Sequence, residues 1–121
     1  MLVVTGETLI DLFVSPAGPD GMRTEAVRGG SNYNVALGLA RLGRDVSFLA
    51  SISTDAFGDF LAAPLARDGV DLRWLRRGPE KTTISVVATS ADGHPTYSFY
   101  GEGCADRALL PADVPAAFPP E

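Results

Sequence analysis

Two glycines, Gly29-Gly30, run directly into Ser31-Asn32-Tyr33-Asn34 and then into a nearly all-apolar stretch that ends at Gly43. Glycines let a backbone turn sharply and let a ligand come close to it. Asn34, in the first turn of the helix that must follow, carries an amide that both donates and accepts hydrogen bonds. A tight turn beside a side-chain amide suits a small polyol better than a protein surface. Upstream, Asp11 interrupts the apolar run Leu9 to Val14, either as an ordinary strand-end carboxylate or as an acceptor for ligand hydroxyls.

The elements that must hold these groups are legible from pattern. Leu2 to Thr5 is a short β-branched run closed by Gly6, and it reads as a buried strand. Glu25 to Arg28 reads as a short strand leading into the glycine pair. Residues 32 to 42 read as a mostly buried helix with Val35, Leu39 and Leu42 on its apolar face and Gly43 just past its end. Gly38 within it implies close approach of a strand.

Asp45 to Ile52 follows as a strand with Val46, Phe48 and Leu49 in the core. Next comes a helix from Ala56 to Arg67, capped by Thr54 or Asp55, with Phe57, Phe60, Leu61 and Leu65 facing inward. Pro64 predicts a kink or an early end. Val70 to Leu75 reads as extended. Thr83 to Thr89 and Thr96 to Tyr100 read as a hairpin turning at Asp92-Gly93, with Ile84, Val86 and Ala88 on one face and Ser85 and Val87 on the other. Strands alternating with helices, then a hairpin, give an α/β layered core with a small accessory sheet.

Composition narrows the classes. Hydrophobic residues make up 45% of the 121 residues and charged residues 21%, which is globular. A net charge of -5 argues against nucleic acid as a partner. The basic cluster of Arg73, Arg76 and Arg77 reads as a solvated strand end rather than an anion site. One cysteine, Cys104, permits no internal disulfide and offers no zinc-type spacing, so no metal site is expected and a reducing compartment fits. With no signal-peptide pattern at Met1 and no apolar run of membrane-spanning length, the expectation is a cytoplasmic protein that does not engage a membrane. His94 reads as a solvated turn residue, Cys104 as a small loop residue, Asp55 and Asp59 as capping and surface charge rather than metal ligands, and Trp74 as packing rather than a sugar platform. Neither a phosphate-binding Gly-x-x-x-x-Gly-Lys loop nor the Gly-x-Gly-x-x-Gly of a dinucleotide site occurs.

Four features in order carry a resemblance: Gly6-Glu7 followed by Asp11, the run from Gly29-Gly30 to Gly43, Thr54-Asp55-Ala56-Phe57-Gly58-Asp59-Phe60-Leu61, and Gly69-Val70-Asp71. On these the chain resembles the N-terminal part of the ribokinase-like, or PfkB, family of carbohydrate kinases, in its fructokinase-like branch. Asn32 and Ser53 depart from the family's usual small residue or proline and its usual glycine.

The resemblance implies an α/β fold that is the N-terminal part of a ribokinase-like layered domain with a small β-sheet lid. The whole of 1–121 would be an incomplete domain, with lid strands near 9–30 and 82–101. It implies that Asp11 accepts hydrogen bonds from sugar hydroxyls, that Asn34 binds another, and that Gly29 and Gly30 let the sugar reach the backbone. Tyr97 and Phe99 would be lid contacts. The substrate expected is a small, fructose-like sugar, and the intact enzyme would use ATP and Mg²⁺. The family's second motif, Gly-Ala-Gly-Asp, is not in this sequence, so the catalytic base and nucleotide pocket are expected in a C-terminal half that this chain lacks, and no catalytic residue is assigned here. The readings that compete are a non-catalytic sugar-binding remnant and a dimerisation module that forms a homodimer through the lid sheet.

Overall fold

The structure, a computed structural model, describes residues 1–120. Two sheets share the chain. β1 (Leu2–Thr5), β4 (Val46–Ser53) and β5 (Leu75–Gly78) form an all-parallel sheet in the order β1-β4-β5. β2 (Leu9–Val14), β3 (Thr24–Gly29), β6 (Ile84–Thr89) and β7 (Pro95–Tyr100) form a mixed sheet in the order β3-β2-β6-β7. Within it β2 runs antiparallel to β3 and parallel to β6, and β6–β7 is an antiparallel hairpin. Helices α1 (Ser31–Arg41) and α2 (Ala56–Arg67) pack on β4.

β4 is buried along its whole length, as a central parallel strand covered on both faces must be. Val46, Phe48, Ala50 and Ile52 point to the helices and meet Tyr33, Ala36 and Leu37 of α1, Leu61 and Leu65 of α2, and Ile10 from the other sheet. Tyr33 and Phe48 meet edge to face with ring centroids 6.3 Å apart. The serines on β4's other face are each hydrogen-bonded: Ser47 Oγ donates to the Asp71 carbonyl, Ser51 Oγ accepts from Arg76, and Ser53 Oγ accepts from the Asp55 N–H. Burying a hydroxyl is tolerable only on those terms.

Several expectations are corrected. The buried face of α1 is Tyr33, Ala36 and Leu37, with Leu39 and Ala40 partly covered, whereas Val35 is 51% and Leu42 79% exposed. A stripe starting at Tyr33 and one starting at Val35 both fit a helical period, and the aromatic wins because it fills the space over Phe48. Gly38 has no neighbour within reach of an added Cβ, so no strand approaches it; the close contact is at Gly58 of α2, where a Cβ would overlap the Ser53 carbonyl. α2 also runs through Pro64 to Arg67. The carbonyl that Pro64 leaves unpaired, that of Phe60, is taken by Arg28 Nε at 2.7 Å.

The extended run expected over 70–75 is broken, and β5 starts only at Leu75. Asp71 folds back to accept from the Arg73 N–H at 2.9 Å and Arg73 Nε at 2.7 Å, a local turn that competes with the strand. In the β6–β7 hairpin the more buried side is Ser85 and Val87, while Ile84, Val86 and Ala88 are half-buried.

Asp55, not Thr54, caps α2, accepting from the Gly58 N–H at 2.8 Å. The arginine cluster is fully paired: Arg73 with Asp71, Arg76 with Glu80 and Arg77 with Asp59. Trp74 packs edge to face on Phe118, and Cys104 is buried with a free thiol.

Candidate sugar-binding site

The glycine pair sits where β3 of the mixed sheet passes into α1. Gly30 is the residue before the helix, with φ +107°, and a Cβ there would stand 2.6 Å from the Glu7 carbonyl oxygen. Only glycine fits that backbone and that gap. With no side chain to cap its own helix, Gly30 leaves the task to Glu7, whose Oε1 accepts from the Ser31 N–H and hydroxyl, both at 3.3 Å. A carboxylate at a helix start also meets the positive end of the helix dipole.

Asp11 comes to the same turn from β2. In the ladder Leu9 faces Gly29 and Asp11 faces Val27, so Asp11 lies diagonal to Gly29. A Cβ on Gly29 would stand 2.5 Å from Asp11 Oδ2. The missing side chain is thus what gives the carboxylate its place. Asn34 follows one helical turn on, its N–H donating to the Gly30 carbonyl at 3.0 Å. Asp11 is half-buried and Asn34 exposed. Neither side chain is engaged by another protein group among the described residues, whereas Glu7 next to them is committed to Ser31. Asp11, Gly29, Gly30 and Asn34 are therefore brought together from β2, β3 and α1.

Tyr97 and Phe99 stand further off. Register places Phe99 beside Ser85, and Ser85 beside Asp11, on one face of the mixed sheet. Phe99 is thus two strand spacings, roughly 10 Å, from Asp11. Tyr97 lies in the next row with Val87 and Phe13. The two aromatics are 60% and 66% exposed on an edge strand. Further along that face Phe13, Glu25 and Val87 line a surface hollow of about 410 Å³.

Sequence reasoning missed two residues of this neighbourhood. Ser85 is 1% exposed and lies between Asp11 and Phe99, which only the parallel β2–β6 register discloses. Arg28 reaches across to α2, and its partner is a backbone carbonyl, which no side-chain pattern marks. The rest of the electrostatics is structural. Burial pushes the Tyr33 hydroxyl up to about 12, so it stays protonated and donates to the Leu61 carbonyl at 2.7 Å. Burial would raise the Asp55 carboxyl, but hydrogen bonds from Thr82, Gly58 and Ser53 outweigh it and hold the group below the usual carboxylate range.

The sequence profile described as pfkB family carbohydrate kinase matches residues 1–117. A fructokinase of Klebsiella pneumoniae is 36% identical over 114 residues, which are 93% of this chain and 36% of that protein. Among solved structures, a fructokinase from Xylella fastidiosa superposes with a TM-score of 0.86 at 32% identity, over 95% of this chain and 36% of that one. A fructokinase from the same organism with bound ATP gives 0.80 at 33% identity, over 89% of this chain and 35% of that one. The chain therefore spans about a third of the length of the relatives it matches. No helix among the described residues is long and apolar enough to cross a membrane. On the profile match and the shared mixed α/β architecture, the chain belongs to the pfkB family of carbohydrate kinases.

Proposed function

We propose that this chain supplies the sugar-binding and lid part of an ATP-dependent kinase that phosphorylates a small, fructose-like sugar. The observation that carries this is a half-buried carboxylate, Asp11, against Gly29 and an exposed amide, Asn34, one helical turn past Gly30, in a carbohydrate-kinase domain. Asp11 would accept two sugar hydroxyls, each such charged hydrogen bond being worth about 1.5–3 kcal/mol. Asn34 would fix a third hydroxyl, and Gly29 and Gly30 would let the ring lie against the main chain. Orienting the attacking hydroxyl can supply roughly 7–11 kcal/mol of the barrier.

The mixed sheet, with Tyr97 and Phe99 on the Asp11 face, would exclude water that competes as phosphate acceptor. ATP and Mg²⁺ belong to the intact enzyme in this reading. A lone site carboxylate is suited to hydroxyls rather than to caging a cation. The single cysteine suits a reducing, cytoplasmic setting.

The test is Asn34→Ala in the protein as its source makes it. Fructose KM rises by about tenfold while ATP KM stays unchanged. Unaltered fructose kinetics would overturn the site.

A second reading, a homodimer through the lid sheet, is favoured by one observation: β7 is an edge strand exposed at every residue, with Tyr97, Phe99 and Tyr100 all more than 60% or at 60% open. Such an edge is a template for another chain. A solution mass that doubles with concentration supports it, and a constant monomer mass rejects it.

A further inference from the structure

Arg28 stands immediately before the glycine pair. Its Nε donates to the Phe60 carbonyl at 2.7 Å, and its guanidinium carbon lies 3.5 Å above the Phe60 ring centroid. That carbonyl would ordinarily accept the N–H of the residue one helical turn later, but that residue is Pro64, which has none. The next carbonyl along α2, Leu61's, accepts the hydroxyl of the fully buried Tyr33 at 2.7 Å. Tyr33 immediately precedes Asn34. Residues 29–32 are thus gripped on both sides, Arg28 before and Tyr33 after, by adjacent carbonyls of one helix.

We propose that Arg28 is a positioning residue for the sugar site. By holding the Phe60 carbonyl that Pro64 leaves open, it fixes the Gly29–Gly30 turn against α2 and so sets where Asn34 and the Asp11 carboxylate stand about that turn. β3 is the outer strand of the mixed sheet, so this grip is its tie to the helical layer on that side. Arginine suits the task because one planar group both stacks on a ring and donates along its edge. The proposal rests on the sugar-binding reading of the turn.

The experiment compares Arg28→Met, Arg28→Lys and Pro64→Ala with Asn34→Ala, all in the protein as its source makes it. It reads the fructose dissociation constant, ATP KM and amide hydrogen exchange over residues 29–34. Arg28→Met is expected to weaken fructose binding by about tenfold, leave ATP KM unchanged and speed exchange in 29–34, and Arg28→Lys restores part of both effects. Pro64→Ala keeps Arg28 but gives Phe60's carbonyl a competing helical donor. It is expected to shift fructose binding and exchange in the same direction without lowering the melting temperature, which a purely structural tie would not do, and it serves if Arg28→Met does not fold.

Unchanged fructose binding in Arg28→Met, beside a weakened Asn34→Ala, overturns the positioning role. If Asn34→Ala binds fructose normally, the sugar reading itself fails and exchange alone decides. Faster exchange over 29–34 then upholds the grip, and unchanged exchange overturns it.

Discussion

Asp55 and Thr82 are joined twice: the Thr82 hydroxyl donates to Asp55 Oδ1 at 2.7 Å and the Thr82 N–H to Oδ2 at 3.0 Å. The same carboxylate caps α2 through the Gly58 N–H. One side chain therefore starts a helix of the parallel layer and anchors the segment that leads into β6 of the mixed sheet.

Asp55→Ala should lower stability by about 2–3 kcal/mol, the loss of a helix cap plus a part-buried hydrogen-bonded pair. Asp55→Asn, which keeps the acceptor oxygen, should lose less. Urea titration of the three proteins checks the order.

Two glycine replacements should have opposite signs. Gly38→Ala adds a methyl group into open space on α1 and should stabilise by about 1 kcal/mol. Gly58→Ala drives a methyl group into the Ser53 carbonyl and should destabilise by about 3 kcal/mol. Thermal melts of both settle the pair.

Gly29→Ala should act through Asp11. The new methyl group takes the space of Oδ2, so the carboxylate must move. Asp11→Ala should raise the sugar KM by at least about 10–100-fold, the equivalent of one of the two charged hydrogen bonds it would accept. Gly29→Ala should raise it in the same direction, and the double variant should be no worse than Asp11→Ala alone, a non-additivity that a kinetic double-mutant cycle measures.

Acid should weaken the fold over a defined window. Arg76 beside Glu80 holds that carboxyl down to about 2 from 4.5, and Arg67 with Arg41 holds Asp68 down to about 2 from 3.8. Folded values below unfolded ones mean that these groups stabilise the fold above the unfolded values and lose that contribution as pH falls towards 2. Urea midpoints should therefore drop steadily between about pH 5 and about pH 2, and Glu80→Gln should flatten part of that slope.

Much of this molecule was legible in its residues. The strand at Leu2–Thr5, the turn at Gly29-Gly30, a cap at Thr54 or Asp55 and the hairpin around Asp92-Gly93 all announce themselves by composition and local chemistry. What escaped was set by side-chain partners, most of them distant in sequence. The side of α1 that is buried depends on Phe48, the continuation of α2 through Pro64 depends on Arg28, and the break before β5 depends on Asp71 folding back on Arg73. Asp11 and Asn34 could be singled out by type and spacing, and by resemblance to carbohydrate kinases. Their shared turn needed the β2–β3 register, and Ser85 beside Asp11 needed the β2–β6 register.

The pairing of β2 with β6 joins strands that lie on opposite sides of α1, β4, α2 and β5 in the chain. Closing so long a loop is entropically costly, and non-local contacts of this kind slow folding. During synthesis the β2–β3 hairpin leaves the ribosome well before its partner, with the β6-facing edge of β2 unpaired. Until β6 has been made, that open strand edge is a template for pairing with other chains.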